Sequence, residues 1–263
     1  MATPRALVLR TAGTNCDQET RYALELAGAA VQLAHVNRLI ESPGILAESQ
    51  LLVLPGGFTY GDDVAAGKIL AIELTHSFRE ALDDFIFAGG AILGICNGFQ
   101  TLVKTGLLPG ASFASAAERT LTLAHNVSGR FEARWVRLRA PDNANCVFAA
   151  PGETLELPVA HGEGRLVARD PKTLKDLAGN GQVVYRYAGP GDKPPAYPDD
   201  PNGSADNIAG ICDRSGRIFG LMPHPERHVA GWQHPRWTRE GRAAAEGDGL
   251  RLFRRAVDFF GKD

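Results

Sequence analysis

Residues 94–98 read Gly-Ile-Cys-Asn-Gly, between the apolar run Ala91 to Ile95 and a helical stretch from Gly98 to Thr105. Gly-x-nucleophile-x-Gly is the pattern of a nucleophile elbow, a tight strand-to-helix turn that lifts one side chain clear of a sheet. The flanking glycines suit it because the turn is strained and backbone packs closely around it. With Cys96 at the centre, the start of the following helix favours the thiolate, the nucleophilic form. The plainer reading is a buried core cysteine beside two packing glycines.

A cysteine nucleophile needs a base, and the base needs a group to orient it. Of the seven histidines, His224 stands in Pro223-His224-Pro225-Glu226, directly after the apolar run Ile218 to Met222. Two-residue spacing along a proline-stiffened, extended segment can set Glu226 beside the imidazole. Its carboxylate would hold Nδ1–H and leave Nε2 facing the thiol. The plainer alternative is a loop histidine paired locally with an acid. A metal site at His224, His228 and His234 has the H-x-x-x-H spacing but lacks helical context and further ligands. Acyl transfer also needs donors for an oxyanion. Leu54-Pro55-Gly56-Gly57 closes the apolar run Leu51 to Leu54, where two glycines can turn backbone N–H groups toward a ligand. The amide of Asn97 supplies another donor.

The elements that must position these groups alternate strand and helix over the first hundred residues. Ala6 to Leu9, Val31 to Val36, Leu51 to Leu54 and Ala91 to Ile95 read as strands. Asp17 to Ala29, with Tyr22, Leu24 and Leu26 as its apolar positions, and residues 76–88 have helical spacing. Phe131 to Leu138, Leu155 to Ala160, Val183 to Tyr187 and Ile218 to Met222 are further short strands. Leu250 to Phe260 closes as an amphipathic helix with Leu252, Phe253, Val257 and Phe260 inward. The pattern predicts an α/β fold: a doubly wound, largely parallel sheet flanked by helices, with a mixed or antiparallel extension. No repeat or linker divides the chain, so residues 1–263 read as a single domain. Residues 189–207, rich in Pro, Gly and Asp, read as an ordered loop or a flap.

Composition removes several classes. Thirty acidic residues against 28 Lys and Arg leave a net charge of −2, without the basic excess of a nucleic-acid binder. No apolar stretch approaches the roughly 18 residues needed to span a bilayer. The N-terminus carries no signal-peptide pattern. Cys16, Cys96, Cys146 and Cys212 are scattered, which points to reduced thiols and a cytoplasmic setting.

Assembled, these residues resemble the class I (triad) glutamine amidotransferases, whose fold is flavodoxin-like and whose Cys, His and Glu occur in this order. More closely, the chain is similar to the glutaminase subunits of phosphoribosylformylglycinamidine synthases. The segments that carry the likeness are Gly13-Thr-Asn-Cys-Asp17, Leu54-Pro-Gly-Gly-Phe-Thr-Tyr-Gly-Asp-Asp63, Gly94-Ile-Cys-Asn-Gly-Phe-Gln100, Ala160-His-Gly-Glu-Gly-Arg165, Asp200-Pro-Asn-Gly-Ser204 and Leu221-Met-Pro-His-Pro-Glu-Arg227.

The resemblance implies that Cys96 attacks the side-chain amide of L-glutamine, that His224 shuttles the proton, and that Glu226 orients His224. It implies an oxyanion hole at Gly57 and Asn97, beside Gly56. Gln100 is either a contact to the substrate's amino-acid end or a helix-surface residue. His161 either shapes the pocket or is a satisfied loop histidine. Ammonia would pass to a synthetase subunit of purine biosynthesis, with a small third subunit bridging the complex in some arrangements. This chain has no phosphate loop, so ATP and Mg belong to that partner, and no cofactor or metal is expected here. Amidotransferases of GMP, CTP or anthranilate synthesis, an elbow-cysteine hydrolase or chaperone of the related small α/β superfamily, and a non-catalytic regulatory subunit are the alternatives. Residues 229–247, with Trp232 and Trp237, are either a docking segment for the synthetase or a self-packed loop.

Overall fold

A computed structural model describes residues 3–191 and 195–261. The strands are β1 (Arg5–Arg10), β2 (Ala30–His35), β3 (Leu51–Leu54), β4 (Ala91–Ile95), β5 (Leu121–His125), β6 (Glu132–Arg139), β7 (Thr154–His161), β8 (Glu163–Ala168), β9 (Val183–Ala188), β10 (Ile208–Cys212) and β11 (Ile218–Leu221). The helices are α1 (Asp17–Leu26), α2 (Val36–Glu41), α3 (Gly44–Ala47), α4 (Lys68–Ser77), α5 (Arg79–Phe87), α6 (Asn97–Thr105), α7 (Leu107–Gly110), α8 (Pro171–Gly179) and α9 (Leu250–Phe260).

Nine strands form one sheet in the order β2-β1-β3-β4-β11-β10-β9-β6-β7. From β2 through β11 the neighbours run parallel. From β11 through β7 each neighbour pair is antiparallel. β5 and β8 form a separate antiparallel ribbon. Burial explains the sequence texture. β3 and β4 are covered on both faces, so their residues are apolar without alternation. β7 lies at the sheet edge and alternates, with Leu155, Leu157, Val159 and His161 buried.

The strand order turns back between β1 and β3, the crevice where open α/β sheets collect ligands. Chain segments leaving β1, β3, β4 and β11 all emerge on that edge, because these four strands are parallel. Those segments carry Cys16, Gly56 with Gly57, Cys96, and His224 with Glu226.

Several elements depart from the sequence-based reading. α1 ends at Leu26 and buries Thr20, Ala23 and Leu24, while Tyr22 and Leu26 face outward. The expected helix over 76–88 is two helices, broken at Phe78, whose φ is −134°. Leu74, Phe78, Leu82 and Phe85 are all buried, and their near-regular spacing gives no sign of the break. Helix α8 opens on Asp170, whose carboxylate accepts from the Thr173 amide at 2.8 Å; this cap is visible in the sequence as Asp-Pro-x-Thr.

The expected loop 189–207 includes residues 192–194, which lie outside the described residues. Its later part is ordered by polar contacts. Asp200 Oδ1 accepts from the amides of Asn202 and Gly203, and Asn202 Nδ2 donates to the Gly164 carbonyl at 2.9 Å. Segment 229–247 is pinned on its inner side by Glu156 of β7. That carboxylate lies 3.0 Å from Arg236, 3.2 Å from Arg242 and 3.2 Å from His234 Nε2. On its outer side Trp232 is 60% exposed. Among the described residues no helix is long and apolar enough to cross a membrane.

Candidate active site

Cys96 stands between β4 and α6 with φ 51° and ψ −103°, a backbone conformation costing roughly 1–3 kcal/mol for a residue with a side chain. Neighbouring glycines make room for it. A Cβ on Gly98 would lie 1.9 Å from the Leu54 carbonyl oxygen, and one on Gly94 would lie 2.8 Å from the Gly98 backbone. The Cys96 amide donates to the Leu221 carbonyl at 2.8 Å, tying the elbow to the end of β11. Its Sγ lies 3.8 Å from the Ala160 carbonyl oxygen of β7.

His224 follows β11, and its amide donates to the Pro158 carbonyl at 2.8 Å. Its Nδ1 is 2.6 Å from Glu226 Oε1. Both side chains are almost wholly buried. Nε2 has no hydrogen-bond partner among the described residues. Burial alone would hold the ring neutral. The Glu226 carboxylate and then the Cys96 sulfur outweigh it, so His224 is raised well above the ordinary histidine value. The arrangement favours an imidazolium whose Nδ1–H is held by the Glu226 carboxylate.

A second sulfur sits beside this pair. Cys16, at the start of α1, has its Sγ 4.0 Å from His224 Nδ1 and accepts from Arg227 Nη2 at 2.9 Å. Arg227 Nε also lies 3.9 Å from Glu226 Oε1. Cys16, His224 and Glu226 bring three potential metal-ligand atoms within 4.8 Å of one another. The guanidinium against the sulfur and the Nδ1–Glu226 bond both oppose a cation there. His228 and His234 are elsewhere: their rings pack edge-on against Trp135 at 4.8 and 4.6 Å. The three histidines weighed as metal ligands therefore do not assemble.

Gly57 has φ 142°, a conformation that favours glycine. Neither its amide nor that of Asn97 donates to an acceptor among the described residues, so both donors are free. Gly56 instead packs against the histidine, since a Cβ there would lie 2.7 Å from His224 Cε1.

Asn97 and Gln100 are committed to the protein itself. Asn97 Oδ1 accepts from Thr59 Oγ1 at 2.6 Å, and Nδ2 donates to Asp62 Oδ1 at 3.0 Å and Gln100 Oε1 at 3.1 Å. Gln100 Nε2 donates to the Glu163 carbonyl. Gln100 is thus buried and braces the turn between β7 and β8, while Asn97 locks the loop after Gly57 onto the elbow helix. Burial pushes the Asp62 carboxyl up within this network.

His161 ends β7 and is buried, with Nδ1 3.1 Å from Asn126 Oδ1 and Nε2 without a partner among the described residues. Burial first, and the charge of His224 second, push it down to about 3. Sequence reasoning did not find Asn126, Arg227 or the position of Cys16. The Gly-Thr-Asn-Cys-Asp segment at the end of β1 was the available signal for Cys16, because that strand end faces the crevice.

The model of the CobB/CobQ-like glutamine amidotransferase domain matches residues 3–260. The phosphoribosylformylglycinamidine synthase subunit PurQ of Dehalococcoides mccartyi is 49% identical over 257 residues, covering 98% of each chain. The same subunit of Methanococcus maripaludis is 39% identical, again over 98% of each chain. Among solved structures, a chain of PurLQS from Thermotoga maritima superposes with a TM-score of 0.73 at 32% identity, covering 98% of this chain and 100% of that one.

Proposed function

This chain belongs to the CobB/CobQ-like glutamine amidotransferases, in the branch of the PurQ subunits of phosphoribosylformylglycinamidine synthase, and on that premise we propose how its residues release ammonia from glutamine. Cys96 Sγ attacks the carboxamide carbon. The carbonyl oxygen takes negative charge between the free amides of Gly57 and Asn97. His224, held by Glu226, gives its proton to the departing nitrogen as the C–N bond breaks, leaving a glutamyl thioester and ammonia. His224 then takes a proton from the water that attacks the thioester, and breaking the C–S bond releases glutamate and leaves the Cys96 sulfur and protonated His224 as they began. The observation that carries this reading is the buried His224 with Nδ1 on Glu226 at 2.6 Å and Nε2 unpartnered, its charge coupled to the Cys96 sulfur.

The ammonia passes to a synthetase subunit that uses ATP and magnesium to convert a formylglycinamide ribonucleotide to the amidine in purine biosynthesis. The names of the relatives and the PurLQS neighbour support a multi-subunit assembly. A small third subunit, as in that neighbour's name, is part of the proposal. The reading places the chain in the cytoplasm, where a thiol nucleophile stays reduced. It takes the exposed Trp232 as part of the surface that meets the synthetase.

Cys96→Ala tests the reading. In the reconstituted assembly it should abolish glutamine-dependent synthesis and leave ammonia-dependent synthesis at the wild-type rate. Glutamine hydrolysis by the variant at the wild-type rate would remove Cys96 from the mechanism.

A further inference from the structure

Beside the catalytic pair lies a histidine whose proton position is fixed by its surroundings. Asn126 follows β5, and its Nδ2 donates to two carbonyls, those of Arg130 at 2.9 Å and His161 at 2.8 Å. Only the NH₂ end of an amide can serve two carbonyl oxygens. Oδ1 is therefore the atom that faces His161 Nδ1 at 3.1 Å. An amide oxygen has no proton to give, so the hydrogen must sit on Nδ1, and Nε2 carries a lone pair. The ring is clamped in that orientation, because a Cβ on Gly164 would lie 2.5 Å from both Cε1 and Nδ1. Nε2 is thus a buried acceptor that no described protein donor satisfies. Such an atom is costly unless something polar reaches it.

Its location indicates what does. The preceding residue, Ala160, presents its carbonyl oxygen 3.8 Å from Cys96 Sγ, and the ring is electrostatically coupled to His224. We propose that His161 Nε2, fixed as an acceptor by Asn126, receives a hydrogen bond from the carboxamide N–H of glutamine and thereby makes the site prefer the amide over glutamate. The proposal rests on the glutaminase reading above.

The chemistry follows from counting donors and acceptors. In the bound amide, the carbonyl oxygen takes the free amides of Gly57 and Asn97. His224 must donate to the nitrogen as it leaves, so it cannot also accept from it. The amide N–H groups then need an acceptor that will not give up a proton of its own. Depressed to about 3 by burial and by His224, His161 is such a group. Glutamate would set a carboxylate oxygen against the same lone pair, so the product is repelled once formed. Asn126 is a positioning residue that acts through His161.

Two measurements test this. Two-bond ¹⁵N–¹H spectra of the full chain with ¹⁵N-labelled histidine, assigned with His161→Gln, should show His161 protonated at Nδ1 only. The signal should not titrate between about pH 5.5 and 8.5. An Nε2–H tautomer, or titration in that range, overturns the proposal whatever the enzyme does. In Asn126→Asp, a carboxylate replaces the amide oxygen; of the other charged groups, His224 acts on the ring and Glu132 lies opposite His161 in the β6–β7 register. His161 should then titrate near neutrality, and glutamate inhibition should strengthen as it protonates.

The second measurement uses the assembly with its synthetase. His161→Leu should narrow the preference for glutamine, read as glutamate Ki over glutamine KM, by about tenfold, the effect of losing one discriminating hydrogen bond. His161→Gln, which restores an acceptor oxygen, should recover most of it. An unchanged ratio in His161→Leu overturns the proposal. A wild-type assembly without glutaminase activity overturns the underlying reading and the ligand named here, while the spectrum still decides the tautomer.

Discussion

Replacing Gly56 with alanine probes how tightly the His224 imidazole is held. The added Cβ would stand 2.7 Å from His224 Cε1, against the 3.4 Å at which ordinary contact begins, and 3.3 Å from Cys16 Sγ. Something must therefore move by about 0.7 Å. The histidine has few ways to yield, since Nδ1 is bound to Glu226 at 2.6 Å and its amide to Pro158. Gly56 does not have the positive φ of its neighbour Gly57, so alanine fits the backbone and the conflict is steric. Shifting a reacting group by about 1 Å costs on the order of 10²-fold in rate, close to 2.7 kcal/mol of barrier at about 1.4 kcal/mol per decade. Overpacking should also cost about 1–3 kcal/mol of stability. The assay is steady-state glutamine hydrolysis by the assembly, with ammonia-dependent synthesis as the control and urea unfolding of the isolated chain. The expected result is a fall in kcat of about a hundredfold, on the same principle of misplacement, with ammonia-dependent synthesis intact. A variant that hydrolyses glutamine as fast as wild type would refute the claim that Gly56 sets the position of His224.

Two further perturbations follow. His161 is held down to about 3 in the fold against about 6.5 when unfolded, so the unfolded chain binds the extra proton in acid. Its contribution to stability is present above pH ~6.5 and is lost as pH falls. The difference in unfolding free energy between wild type and His161→Gln should shift against wild type by about 2 kcal/mol from pH 7.5 to pH 5, by proton linkage. Parallel pH curves for the two proteins would contradict the shift. His224 has the opposite sign: its raised value stabilises below pH ~6.5, and that contribution is lost as pH rises through the folded value. The second perturbation is at Trp232, 60% exposed on a segment anchored from beneath by Glu156. Trp232→Ala should weaken synthetase binding by at least about 1 kcal/mol while leaving that anchor intact; an unchanged affinity would make the segment a self-packed loop.

How much of this was legible in the sequence depends on the range of the forces involved. The parallel half of the sheet was readable because β3 and β4 are buried on both faces and so carry unbroken apolar runs. The ribbon of β5 and β8 was missed. Leu121, Leu123 and Leu166 are its buried leucines, too few to set a period. β10 was missed because the polar loop before it masks its start, although all its residues are buried. At the site, local motifs pointed to Cys96, to the His224–Glu226 spacing and to the glycines after β3. The partners that complete the geometry come from distant segments. Cys16 reaches Arg227 across 211 positions, and Asn126 reaches His161 across 35, and such pairings leave no periodic trace. Gln100 shows the converse. Its place one turn after Cys96 suggested substrate or solvent, but the fold spends both ends of its amide on Asn97 and the Glu163 carbonyl.

The most direct test exposes the reconstituted assembly to an electrophilic glutamine analogue and maps the modified peptide by mass spectrometry. The expected result is a single adduct on Cys96, with Cys16, Cys146 and Cys212 unmodified, and protection by excess glutamine. An adduct on Cys16 in place of Cys96, or glutamine turnover that survives full modification of Cys96, would contradict it.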